Sequence, residues 1–186
     1  MKKTFWENRL IAWVVFAACV LFSLSFSGGR ALENLRLDTE RVFYQGVNGD
    51  GLCIDRDLSR RAECAYNLAS TASGYASIGK DLVEGARAAS NSLAAAAAIA
   101  DKFEANQACQ RAVEDLYTAM ENTALSESDR AFAYKEYKEF QSRADTISRD
   151  FYNQRAAQFN ETLSAFPAEL IGGLSGVKPL ELFDKS

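Results

Sequence analysis

An uncharged stretch near the amino terminus constrains the fold of this chain more than any other feature. From Leu10 to Gly29 there are 20 consecutive uncharged residues, with an arginine on either side. At a rise of about 1.5 Å per residue, a helix of this length spans about 30 Å, the thickness of the hydrocarbon core of a bilayer. The sequence therefore predicts a single transmembrane helix over residues 10–29, preceded by a short flank over residues 1–9.

A cleavable signal peptide is the alternative interpretation of the same stretch. Lys2 and Lys3 make a basic start, and Ser25-Phe26-Ser27 supplies small residues near a cleavage position. The apolar region is long for a signal peptide, so a retained anchor is favoured. The basic cluster before the stretch favours a cytoplasmic amino terminus, and therefore a body on the extracytoplasmic side of the cell membrane.

The rest of the chain has the composition of a helical protein. The full sequence of 186 residues includes only 2 prolines, which favours helices over a sheet with many turns. Apolar residues recur at steps of three and four, for example at Leu58, Ala62, Ala65, Ala69 and Ala72. The sequence predicts an all-α fold, in which the transmembrane helix precedes an elongated antiparallel three- to four-helix bundle over residues 30–166.

The breaks in the pattern predict where the helices end. Glycines interrupt it at residues 46–51 and 73–79, with Ser77 as a predicted N-cap, and Ser126 and Asp129 have the spacing of a capping box. The two segments between these breaks, 77–124 and 129–165, predict unbroken helices, and the run Ala94–Ala98 is expected to give a smooth helix surface. These lengths place the Gly/Pro-containing apolar tail, residues 167–186, at the distal end of the bundle, far from the membrane.

The side-chain inventory excludes large classes of enzymes. There is no histidine, and therefore no Ser-His-Asp triad, Cys-His dyad or histidine metal site. The segment 46–57 has some oxygen ligands of a calcium loop, but its first position is Gly46, which carries no carboxylate. Acidic side chains such as Glu136 and Glu139 are interpreted as a solvated helix face with Lys135, Lys138, Arg143 and Arg149 nearby. We expect no catalytic residue, no cofactor and no metal.

Cysteine spacing and charge give two further expectations. A disulfide between Cys53 and Cys64 would need the glycine loop to fold Cys53 back, since on one helix their Cα atoms would be about 16 Å apart. Cys64 and Cys109 are better interpreted as small core residues. The chain carries a net charge of −4, and the part after residue 29 is more acidic still, which disfavours nucleic acid as a partner.

An ordered set of residues in the tail is specific enough to suggest a family. It comprises Phe159-Asn160, Phe166-Pro167, Leu170-Ile171, Gly173-Leu174, Gly176, Lys178-Pro179 and Phe183, and Arg60 to Glu63, Asn67-Leu68 and Gly74 to Ala76 make a second, weaker match. With these residues the chain resembles the LemA-like bacterial membrane proteins. The resemblance implies one amino-terminal membrane helix, a helical bundle and no established enzymatic activity. It also implies a bundle inside the cytoplasm, opposite to the expectation from charge.

These features predict a membrane-anchored helical scaffold or protein-interaction module of the LemA type, without catalytic activity. Its protein partner is unidentified, and assembly with further copies of the chain stays open. The alternative is an extracytoplasmic ligand-binding or sensory helical bundle. The predicted interaction surface is the tail motif: Phe166, Pro167, Leu170, Ile171, Gly173, Leu174, Gly176, Lys178, Pro179 and Phe183.

Overall fold

The computed structural model describes residues 9–183, and all regular secondary structure in that range is helical. This confirms the predicted all-α class. A short 3-10 turn spans Val47–Gly49. The seven α-helices are α1 (Arg9–Gln45), α2 (Ile54–Ala72), α3 (Lys80–Ala95), α4 (Ile99–Glu121), α5 (Glu127–Ser148), α6 (Tyr152–Ser164) and α7 (Ala168–Ser175).

The predicted transmembrane segment lies in the first half of α1, which runs on to Gln45. Within the described part of the chain, no helix combines the length and the apolar character needed to cross a membrane. The predicted span is therefore not confirmed. Residues 1–8 of the predicted flank lie outside the described residues, as do the side chains of Leu10, Leu21, Leu24 and Ser25.

The chain divides into two compact units. The first unit contains residues 1–40 and 155–180, and the second unit contains residues 41–154 and 181–186. The boundaries between the units fall inside α1 and α6. They therefore differ from the predicted boundaries at residues 29 and 166.

In the first unit, the tail helix α7 packs against α1. A Cβ atom added at Gly28 would lie 3.0 Å from Cγ2 of Ile171, and one added at Gly29 would lie 2.5 Å from Cβ of Ser175. Only glycine allows so close an approach of two helices. Helix α7 of the tail therefore lies beside the end of the uncharged stretch. The tail was predicted at the distal end of a bundle because the helix lengths used for that prediction assumed unbroken helices.

Both helices that were predicted to be unbroken are interrupted. The alanine run contains the end of α3 at Ala95, and Ala96 adopts an extended conformation (φ −61°, ψ 130°). Helix α3 packs against α4, which begins at Ile99. The alanine run is therefore the turn between α3 and α4 and not a smooth helix surface. The second predicted helix, 129–165, is broken after Ser148, where α5 ends. The next helix, α6, begins at Tyr152, whose N–H donates a hydrogen bond to Oδ1 of Asp150 (2.7 Å).

The core of the second unit is built around α2. This helix packs against α3, α4 and α5, and its predicted stripe from Leu58 to Ala72 is buried as expected. Small side chains on α2 let the neighbouring helices approach closely. For example, the hydroxyl of Ser90 on α3 donates to the carbonyl oxygen of Ala62 (2.8 Å).

The predicted helix starts are correct in one case and wrong in another. Ser126 is the N-cap of α5, and its Oγ accepts a hydrogen bond from the N–H of Asp129 (3.1 Å). Tyr75 adds to this cap, because its hydroxyl donates to Oδ2 of Asp129. The bonds from Tyr75 and then from Ser126 lower the pKa of the Asp129 carboxyl. Ser77 is not an N-cap, since α3 begins after Gly79.

Candidate functional site

A network of charged side chains connects α2 and α5 inside the second unit. Glu136 on α5 is only 3% exposed, and its Oε2 accepts a hydrogen bond from Nδ2 of Asn67 (2.9 Å). Its other oxygen lies 3.7 Å from Nη2 of Arg60. Burial of a carboxylate is tolerated only with such partners. Glu136 is therefore held by two residues of one neighbouring helix.

The same network continues one turn further along α5. Nη2 of Arg143 lies 2.6 Å from Oε1 of Glu139, and its Nη1 lies 3.0 Å from Oδ1 of Asp57 on α2. These partners raise the pKa of Arg143, and the pKa of Glu139 is lowered chiefly by the hydrogen bond from Arg143. Each residue of the network thus stabilises the charged form of its neighbour.

This network corrects the prediction that the acidic residues of α5 form a solvated face. On α5 the structure buries Ala133, Glu136 and Phe140, while Tyr137 stacks on Tyr117 with ring centroids 3.8 Å apart. The steps from Ala133 to Glu136 to Phe140 are three and four, so the helical periodicity did include Glu136. It was missed because a glutamate was assumed to face solvent.

Arg61 is a further buried charge, outside the network of ion pairs, and sequence reasoning gave it no role. The residue is 1% exposed and lies on α2 directly after Arg60. Its Nη1 donates to Oδ1 of Asn106 and its Nη2 to Oε1 of Gln110, both on α4. Its guanidinium carbon lies 3.9 Å from the centroid of the Phe140 ring. The three contacts join α2, α4 and α5 at one point.

A cavity of about 430 Å³ opens beside Arg61 within the second unit. Its polar lining includes Arg61 itself and four amide side chains. Its apolar lining comes from Ile54, Phe103, Ala144, Ile147 and Phe183. The volume falls within the range of small-molecule sites. The second unit therefore combines a concave, partly apolar space with a buried cation.

All four cysteines are free, so Cys53 and Cys64 are not bridged. A bridge was the less favoured of the two interpretations of their spacing. The thiol of Cys53 donates instead to the carbonyl oxygen of Tyr44 (3.3 Å). Cys64 and Cys109 are core residues, as predicted. Burial raises the pKa of the Cys64 thiol to about 12 and that of Cys109 to about 11. Both thiols are protonated at neutral pH, which makes them poor nucleophiles.

Metal-ligating side chains do not converge anywhere in residues 9–183 to form a group of three or more. In the glycine loop, Oδ1 of Asp50 accepts a hydrogen bond from the N–H of Leu52 (2.9 Å). Asp57, at the last position of the calcium-like segment, belongs to α2 and pairs with Arg143. The two carboxylates therefore serve a turn and an ion pair.

The residues of the predicted tail surface fall into two sets. Ile171 packs against Gly28, and Phe183 is buried in the second unit, where its ring meets Phe43 and Phe103. Phe183 is therefore not part of an exposed interaction surface. The other eight are exposed: Phe166, Pro167, Leu170, Gly173, Leu174, Gly176, Lys178 and Pro179.

The comparisons with known proteins give one match. A family model described as the LemA family matches residues 52–186. No curated protein and no solved structure matches the chain. The matched range begins just before α2 and includes the charged network, Arg61 and the whole tail.

Proposed function

The chain belongs to the LemA family, and from this membership and its apolar surfaces we propose that it is a membrane-anchored helical scaffold or protein-interaction module. LemA is not a known enzyme family. The absence of histidine from the sequence and the use of the buried carboxylates in ion pairs agree with a binding role rather than a catalytic one.

The observation that carries the proposal is the apolar surface of the first half of α1. Trp13, Phe16 and Phe22 are each at least 60% exposed, on a helical stretch that has no charged residue between Leu10 and Gly29. Apolar surface of this extent on a single exposed helix marks contact with lipid or with another protein. The stretch has the length of a bilayer span, so we assign it to the cell membrane as a single-pass anchor.

The sidedness of the anchor follows from the basic residues around it. Lys2, Lys3 and Arg9 lie within nine residues before the uncharged stretch, whereas Arg30, Arg36 and Arg41 are spread over a longer segment after it. The denser cluster favours the cytoplasmic side for the amino terminus. The body of the protein is accordingly assigned to the extracytoplasmic side.

The anchor predicts how the full chain partitions. After an alkaline carbonate wash we expect the chain to remain in the membrane pellet, and we expect the double variant Val15→Lys/Phe16→Lys to move to the supernatant. A lysine inside a span costs up to about 3 kcal/mol of insertion free energy, and residues 15 and 16 lie within about five residues of the centre of this one. The matched control is Leu52→Lys, since Leu52 is an exposed apolar residue of the second unit.

Release of the unmodified chain by carbonate would contradict the anchor, as would retention of the double-lysine variant. The same cells report the sidedness. An impermeant thiol reagent should label Ser70→Cys in a Cys19→Ser background, because Ser70 is exposed whereas the other three cysteines are buried. Labelling that requires permeabilised cells would place the body in the cytoplasm.

The exposed residues of α7 form the proposed contact surface for the partner. An apolar groove of about 780 Å³ lies between α7 and α1. Leu174 lines it on α7, and Phe22 and Phe26 of the uncharged stretch line it on α1. Leu170 and Leu174 are both more than half exposed on the same helix. Because the groove includes residues of the anchor, the partner that fits it is the apolar helix of another membrane protein.

A photoreactive amino acid at Leu174 tests this contact in membranes. We expect a crosslinked product of discrete protein mass, which should disappear when Leu170 is replaced by Glu. The control position is Leu52, which is exposed to a similar degree but lies outside the groove. Adducts with lipid alone, or equal protein adducts from both positions, would rule out α7 as the partner surface.

The second candidate, a ligand-binding bundle, is favoured by one observation. The cavity beside Arg61 has a volume and a mixed lining that suit a small molecule.

A further inference from the structure

The charge of Arg61 is balanced differently from that of Arg60 and Arg143, the two arginines of the charged network between α2 and α5. Arg60 and Arg143 each face at least two carboxylates. Arg61 bonds instead to the neutral amides of Asn106 and Gln110, and within the described residues it takes part in no ion pair. A buried cation without a carboxylate partner is energetically unfavourable.

The guanidinium of Arg61 also has donors to spare. Two of its five N–H groups are used by the bonds to Asn106 and Gln110. Its buried Nε has no hydrogen-bond partner within the described part of the chain. Burial lowers the pKa of Arg61 to about 10, so the group stays protonated at neutral pH. Arg61 is thus a desolvated cation with an unused donor in the wall of a cavity.

The remaining lining of the cavity defines what the occupant must look like. Arg61 is the one cation among the lining residues, and Asp150 is the one anion. Oδ1 of Asp150 accepts from the N–H of Tyr152, which holds that carboxylate at the start of α6. A second negative charge on an occupant would have no cation to meet. Phe103, Ile147 and Phe183 offer apolar surface on the same cavity.

We propose that this cavity binds a small organic carboxylate, with the carboxylate group on the guanidinium of Arg61 and a short apolar portion against Phe103, Ile147 and Phe183. A carboxylate is the planar monoanion that suits the arginine fork. Asn106 and Gln110 hold the fork in place by accepting from both Nη atoms, and Phe140 fixes its plane from one face.

This inference is independent of the membrane anchor and of the partner surface on α7. All the lining residues belong to the second unit, whereas the anchor and the groove belong to the first unit. If the experiments on the anchor and on α7 fail, the ligand site beside Arg61 is unaffected. If the ligand experiment fails, the anchor and the partner surface are unaffected.

Calorimetric titration of the full chain in detergent tests the site with phenylacetate and butyrate as probes. The neutral isosteres phenylacetamide and butyramide and inorganic phosphate serve as comparison ligands. We expect saturable binding of the two carboxylates, and affinity at least about tenfold weaker for the amides and for phosphate. Carboxylate binding should also raise the melting temperature of the chain.

Two substitutions separate binding from folding. Ala144→Leu fills the cavity but leaves Arg61 in place, and we expect it to weaken carboxylate binding at least about tenfold. Ala88→Leu adds the same volume at an exposed position of α3 and should bind like the unmodified chain. Arg61→Lys keeps the charge but loses the fork; if it folds, carboxylate binding should weaken.

The result that supports the site is binding that needs the negative charge and is blocked by Ala144→Leu. Equal affinity for carboxylates and amides would overturn the role of Arg61. Equal affinity in the unmodified chain and in Ala144→Leu would overturn the cavity as the site. Absence of carboxylate binding to the unmodified chain would overturn the proposal as a whole.

Discussion

Replacing Phe140 with alanine is expected to lower the free energy of unfolding of the second unit by about 4 kcal/mol. The side chain is fully buried, and truncation of a buried phenylalanine loses its transfer free energy and leaves a cavity. The ring also carries the guanidinium of Arg61 at 3.9 Å from its centroid. Alanine therefore removes the apolar surface that covers one face of a buried cation.

Denaturant unfolding of the full chain measures this effect, with two comparison variants. Phe132→Ala lies on the same helix at an exposed position, and we expect a loss below about 1 kcal/mol. Phe140→Leu restores most of the volume but not the aromatic face, and should fall between the two. If Phe140→Ala and Phe132→Ala cost the same, the packing described around Phe140 is wrong.

Replacing Glu136 with alanine has the second largest expected effect, a loss of about 3 kcal/mol of unfolding free energy. The variant leaves Asn67 without its acceptor and Arg60 without one of its carboxylates. Loss of one partner of a buried ion pair costs about 3–5 kcal/mol. The lower end applies here, since Arg60 is partly exposed and also pairs with Glu63.

Glu136→Gln separates the two contributions of this side chain. The glutamine keeps an acceptor for Asn67 but loses the charge, so we expect a smaller destabilisation than for alanine. Asp145→Ala removes a carboxylate from an exposed position of α5 and should change stability by less than about 0.5 kcal/mol. A cost for Glu136→Ala as small as that of Asp145→Ala would show that Glu136 is solvated after all.

The all-α class and the packing of α2 could be predicted from the sequence because they depend on local patterns. Leu58 and the alanines of α2 repeat at helical spacing, and no competing feature interrupts them. Ser126 was identified as a cap because its hydroxyl oxygen accepts a hydrogen bond from the N–H of Asp129, only three residues further along the chain. The family was likewise identified from residues close together in the tail.

The charged network and the cavity could not be predicted, because they depend on which helices meet. A glutamate such as Glu136 is exposed to solvent or buried according to the partners that another helix supplies, here Asn67 and Arg60. Arg61 likewise differs from its sequence neighbour Arg60 in the partners it meets, two amide side chains on α4. The prediction of a continuous helix through the alanine run, Ala94–Ala98, was wrong for a related reason. Alanine favours helix in isolation, and the turn there is set by the packing of α3 on α4.

The reaction of the buried thiols of Cys64 and Cys109 with a thiol reagent measures how often the second unit opens transiently. Both are fully enclosed in the closed state, so a thiol reagent reaches them only in molecules that have opened locally or globally. When closing outpaces the reaction, the rate of their modification is proportional to the population of the open state. The rate of thiol modification therefore reports how often this unit opens, under conditions in which most molecules stay folded.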